Sequence, residues 1–219
     1  MSRPEPAPRR PYGRYAGIVV LIIFALVAIN TLLSKQRGLR GIEPGHRLAP
    51  FAVPLAVGDV TGDADIATHA NDGSAGRVPA CDERGPQLLN VCELYERGPV
   101  VLALFVDAGA CPRILGDLQA VAPSFPGVRF AAVSIKGNRG QLRRLVSSQH
   151  LSFPVGIDSD GALAALYKLV SCPQVSFAYP GGVVQSPAIL SRPTPATLRA
   201  RVSELLEASR ARVPRSGAA

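Results

Sequence analysis

The longest hydrophobic run in the chain comes early. Tyr15 to Ser34 (YAGIVVLIIFALVAINTLLS) carries no charge, and its centre from Ile18 to Ile29 is densely apolar. As a helix rising about 1.5 Å per residue it spans roughly 30 Å, the hydrocarbon thickness of a bilayer. The pattern predicts one uncleaved transmembrane helix over 15–34, because the apolar stretch outruns a signal-peptide core and no small-x-small cleavage site follows it. A tail, 1–14, precedes the span and a linker, 35–44, follows it. Gly and Pro then punctuate the chain to residue 86, where no periodicity holds and at most one or two short strands are expected.

From Pro99 the pattern changes. PVVLALFV is a continuous apolar run of strand length, the signature of a strand covered on both faces. Elements then alternate: a helix over Pro112–Ala122 ended by Pro123, a strand over Val128–Ile135, and a helix over Arg139–Gln149 with Leu142, Leu145 and Val146 on one face. A short strand over Phe153–Ile157 precedes a helix over Gly161–Leu169, capped by Asp160. Strands over Gln174–Tyr179 and Val183–Gln185 flank a Pro180-Gly181-Gly182 turn, and a last helix starts at Thr194 with Pro195 in its first turn. This order predicts an α/β domain over 45–208, a central mixed sheet with helices on both faces, followed by a flexible basic tail, 209–219.

Composition supports a folded body: 47% of the residues are apolar and 18% charged, which excludes a disordered chain, and four cysteines in 219 residues exclude a disulfide-built miniprotein. The net charge of +8 is unevenly placed. Residues 1–40 carry six units of it, residues 207–219 carry two, and 41–206 are neutral, so the charge describes the flanks of the span and a tail. A neutral body argues against nucleic acid as a partner.

Four basic residues before the span and three soon after it make the positive-inside bias weak. An even cysteine count behind an anchor favours an oxidising compartment. The expected topology is therefore a single-pass cell-membrane protein with its amino terminus cytoplasmic and its domain extracytoplasmic.

Cys111 carries the candidate chemistry. It follows the buried strand and precedes Pro112, which suits a first helical position, so its thiol would face unpaired backbone N–H groups that favour the thiolate. A thiolate is the species that attacks a disulfide or a peroxide.

The stretches LLNVCELYERGPVVLALF, GACPRIL and VRFAAVSI, with Cys172-Pro173 leading into a strand, a Gly turn and an amphipathic helix, resemble the thioredoxin-like redoxin family. That family includes membrane-anchored TlpA/ResA-type thiol-disulfide oxidoreductases and alkyl hydroperoxide reductase/thiol-specific antioxidant proteins. The resemblance covers residues 45–208 and implies a thioredoxin-like fold. The active-site motif departs from the family: Cys111-Pro112-Arg113-Ile114 is not C-x-x-C, and Ala108 stands where peroxiredoxins place a Thr or Ser. In such folds the residue before a cis-proline faces the nucleophile. The resemblance therefore implies that Cys172, before Pro173, faces Cys111 as its partner. From their positions, Asp107 is a candidate proton acceptor or a solvated strand-end acid, and Arg113 a candidate to stabilise the thiolate or a side chain pointing to water; with Pro173 they are the supporting residues.

Cys81 and Cys92 flank an irregular segment just before the buried strand. Four cysteines permit three pairings, and a structural Cys81/Cys92 bridge is expected. His46, His69 and His150 are scattered and no tight C-x-x-C exists, so neither metal nor any other cofactor is expected. Three functions stand: thiol-disulfide exchange with envelope protein thiols or disulfides, a non-catalytic binding domain with structural disulfides, and a one-Cys peroxidase.

Overall fold

The computed structural model describes residues 17–28 and 41–212. The chain divides into two units, Met1–Gly38 and Leu39–Ala219. In the first, residues 17–28 form a helix, α1, with Ile18, Leu21 and Phe24 among its exposed apolar side chains. Among the described residues no helix is long and apolar enough to cross a membrane. The rest of the expected span, residues 15–16 and 29–34, lies outside the described residues, as do the tail 1–14 and most of the linker.

In the second unit the elements run β1 (Ala52–Pro54), β2 (Leu88–Asn90), α2 (Val91–Glu96), β3 (Val100–Val106), α3 (Ile114–Gln119), β4 (Arg129–Ile135), α4 (Arg139–Ser148), β5 (Val155–Asp158), α5 (Ala162–Leu166), β6 (Gln174–Ala178), β7 (Val184–Ile189) and α6 (Pro195–Arg212). Five strands form one sheet in the order β5-β4-β3-β6-β7, and β1 pairs with β2 in a separate antiparallel ribbon. β3, β4 and β5 are parallel, while β6 opposes β3 and β7 opposes β6.

β3 is the central strand, which explains its unbroken apolar sequence. Val101, Ala103 and Phe105 point into a core shared with Ile114, Leu115 and Leu118 of α3, Leu142 of α4, and Leu198, Val202 and Leu205 of α6. Val100, Leu102 and Leu104 point to the opposite face, against Phe51, Val53, Leu89, Val91, Tyr95, Leu163 and Tyr167. Both faces are dry, so period-two alternation is absent from the sequence.

Three local readings change. The helix expected over Pro112–Ala122 is a 3-10 turn, Cys111–Arg113, continued by the six-residue α3, with another 3-10 turn at Ala122–Ser124. Proline lacks an N–H and restricts the residue before it, so Pro123 ends the regular part early, while Pro112 is tolerated in the first turn. The helix expected over Gly161–Leu169 is the five-residue α5.

α6 also continues four residues past the expected domain end. Ser209 is buried and donates to the Leu205 carbonyl at 2.7 Å, and the Arg212 guanidinium sits 3.8 Å from the Tyr179 ring centroid. Residues 213–219 lie outside the described residues.

Candidate functional site

The parallel strands β3, β4 and β5 end at one edge of the sheet, with Val106 level with Ile135 and Ile135 level with Asp158. Beyond β3 the chain turns through Asp107-Ala108-Gly109-Ala110. Gly109 takes φ +58, a left-handed conformation that glycine adopts without a Cβ clash. Cys111 opens the following 3-10 turn, its N–H donating to the Ala108 carbonyl at 3.2 Å, and Pro112 sits where no donor is needed. Ile114, Leu115 and Leu118 pin the following helix to the core, which buries Cys111 to 7% exposure.

Cys172 reaches the same point from the loop between α5 and β6. It precedes Pro173 across a cis peptide bond, and the two cysteines are joined as a disulfide with Cα atoms 5.7 Å apart. Separations of this size suit a disulfide. The Val106 N–H, at the end of β3, donates to Cys172 Sγ at 3.0 Å. No described residue donates to Cys111 Sγ, so the backbone donor at this site comes from a strand end and not, as the sequence led us to expect, from the helix start.

Asp107 is half-buried, and its Oδ2 has no hydrogen-bond partner among the described residues. Arg113 is exposed; its N–H donates to the Ala110 carbonyl at 3.3 Å, and its side chain makes no hydrogen bond or ion pair with a described residue. An open groove of about 420 Å³ lies beside the turn, lined by Asp107, Pro112, Gln141, Arg144, Leu145 and Ser148. A second cavity of about 420 Å³, with Phe125, Phe130 and Phe153 in its wall, opens at the other end of the strands and holds no cysteine.

Two further buried side chains order the chain locally, one at the end of β5 and one at the end of β2. Asp158, fully buried at the end of β5, accepts from the Gly161 N–H at 2.9 Å and the Leu163 N–H at 3.0 Å. Burial first, and then the neighbouring Asp160 carboxyl, pushes its pKa up to about 6. Asn90, also buried, accepts from the Cys92 N–H at 2.8 Å and donates to the carbonyls of Ala80 at 2.7 Å and Glu83 at 2.9 Å. The Asx-type start of α2 is visible in the sequence as Asn90 before an apolar run.

Cys81 and Cys92 are joined with Cα atoms 5.3 Å apart, and Cys81 Sγ lies 3.6 Å from the Tyr95 hydroxyl. Cys92 packs into the core on the face of the sheet opposite Cys111. Among the described residues no three His, Cys, Asp or Glu side chains are grouped so as to hold a metal ion.

No protein-family model matches the chain, and no curated protein matches its sequence. Solved structures do match the fold. A protein from Chlorobium tepidum assigned as a thiol:disulfide interchange protein DsbE is 14% identical, with a TM-score of 0.54 over 77% of this chain and 98% of its own. A Bacteroides thetaiotaomicron protein assigned as a protein disulfide isomerase gives 0.55 at 11% identity, over 76% of this chain and 91% of its own. Peroxidoxin BcpB from Mycobacterium tuberculosis gives 0.53 at 14% identity, over 78% of this chain and 98% of its own. With its strand order β5-β4-β3-β6-β7 and these matches, the body of this chain is a thioredoxin-like α/β domain, the fold that these proteins share.

Proposed function

We propose that the protein is a membrane-anchored, extracytoplasmic thioredoxin-like protein that exchanges thiols and disulfides through Cys111 and Cys172. One observation carries this reading: the two cysteines meet at the sheet edge where the strand-to-helix turn and the cis-proline loop converge, and they bond there although they lie 61 positions apart in sequence. The pair takes the place of the missing C-x-x-C. Envelope proteins with thiols or disulfides are the partners such a pair serves. Anchoring through 15–34 is supported by the uncharged twenty-residue run and its basic flanks.

The peroxidase reading is weaker, because Ala108 offers no hydroxyl to orient a peroxide and Cys111 is held in a disulfide. A binding domain with fixed crosslinks is the second reading, favoured by the 7% exposure of Cys111. Equilibration of the purified protein with thiol redox buffers, followed by alkylation and peptide mass spectrometry, separates the two. Exchange predicts that Cys111–Cys172 reduces at a potential between about −270 and about −120 mV, the span of thioredoxin-type proteins. A pair still oxidised below about −300 mV behaves as a fixed crosslink and overturns the proposal.

A further inference from the structure

We infer that Cys172, the residue before the cis-proline, is the attacking sulfur of the reduced pair, and that Cys111, at the strand-to-helix turn, resolves the mixed disulfide. This assignment rests on the exchange reading above and reverses the order that the sequence position of Cys111 led us to expect.

Three observations meet at Cys172. Its Sγ accepts the Val106 N–H at 3.0 Å, and that donor is held in place by the end of the central strand. A thiolate is a far better acceptor than a thiol, so a fixed N–H favours the ionised form. Cys111 Sγ has no such donor among the described residues, and Cys111 is buried within the apolar core of Ile114, Leu115 and Phe105, against which Cys172 packs only partly buried, so desolvation opposes charge more at Cys111.

The third observation is access. Cys172 is only partly buried and sits in a loop whose Val170 is 48% exposed, whereas Cys111 is buried. The charged groups around the site do not reverse this order: Asp107 and Arg144 line the neighbouring groove with opposite signs, and the Arg113 side chain is exposed.

The chemistry balances without another reactant. The Cys172 thiolate attacks one sulfur of a substrate disulfide; a Cys172–substrate S–S bond forms, the substrate S–S bond breaks, and the departing thiolate takes a proton from water. The Cys111 thiol then gives its proton to water and attacks Cys172 Sγ. The Cys111–Cys172 bond forms and the second substrate thiolate leaves. Two electrons pass from the protein to the substrate. In reverse, a substrate dithiol attacks Cys172 Sγ, with Cys111 as the leaving group.

The full chain in detergent is reduced and pulsed with iodoacetamide from about pH 5 to about pH 10, and alkylation of the two cysteines in the same molecules is compared by peptide mass spectrometry. The expected midpoint for Cys172 lies at least about one pH unit below that for Cys111. In parallel, Cys111→Ser should form an adduct with glutathione disulfide roughly tenfold faster than Cys172→Ser. The wild-type measurement stands even if a variant folds poorly. A lower midpoint at Cys111, or equal midpoints, overturns the assignment and leaves exchange intact. A wild-type pair that will not reduce in the range given above sinks exchange itself, and the assignment with it.

Discussion

Asp158 ends β5 fully buried, with both carboxyl oxygens accepting backbone N–H groups at the start of α5. Its pKa of about 6 in the fold lies above the roughly 3.9 of an unfolded aspartate, so the native state keeps a proton that the unfolded chain has released. Stability should therefore fall as pH rises from about 4 to about 6, then level off. Asp158→Asn removes that titration and leaves one N–H facing an amide NH₂. Urea unfolding of the variant should show a loss of about 1 kcal/mol at neutral pH and a flatter profile between about pH 4 and 6. An unchanged slope would mean that Asp158 is ionised in the fold throughout. Asn90 is the other residue on which a local structure depends, because one amide caps α2 and holds the carbonyls of Ala80 and Glu83. Asn90→Ala strands buried groups on both sides and should cost about 2–4 kcal/mol, read as a lowered thermal midpoint.

Element by element, the sequence was most legible where burial is uniform. VVLALFV and RFAAVSI are strands because no other element of that length hides six consecutive side chains in a layered α/β core. The lead-in was not legible, because β1 and β2 have three residues each and α2 six, too few for a period to show. Its order comes from distant partners. Arg139 donates to the carbonyls of Leu55, Gly58 and Val60, and Arg143 to those of Ala56 and Gly58, so two residues that read as the polar face of a helix clamp a loop some 80 positions earlier. The site divided in the same way. Cys111 announced itself through its place after a strand and before Pro112, but the Val106 N–H on Cys172 depends on where the sheet ends, which no local pattern encodes. The Cys81–Cys92 bridge closes a short loop within this lead-in, 11 residues apart in sequence. Replacing both cysteines with Ala should cost about 2–3 kcal/mol in urea unfolding. The potential of Cys111–Cys172, which lies on the opposite face, should stay unchanged, and a large shift would show that the two bridges act together.

At the scale of the whole molecule, the +8 charge and the redox proposal make one joint demand. Six of the eight units flank the apolar run, while the neutral body carries all four cysteines. The body holds two disulfides, Cys81–Cys92 and Cys111–Cys172, and such bonds persist in an oxidising compartment. The positive-inside bias alone is too even to choose an orientation, with basic residues on both flanks. The disulfides favour the orientation proposed above, with residues 1–14 inside and 41–219 outside. A full-length chain carrying a carboxy-terminal epitope should stay in the membrane pellet after alkaline carbonate washing and keep the mass of residues 1–40. Its epitope should be digested by protease added to intact spheroplasts. A soluble product lacking residues 1–40 would mean that the apolar run is a cleaved signal, which leaves the domain outside but unanchored. An epitope protected until lysis would put the cysteines in the cytosol and remove the ground for envelope exchange, whatever the potential of Cys111–Cys172 in a cuvette.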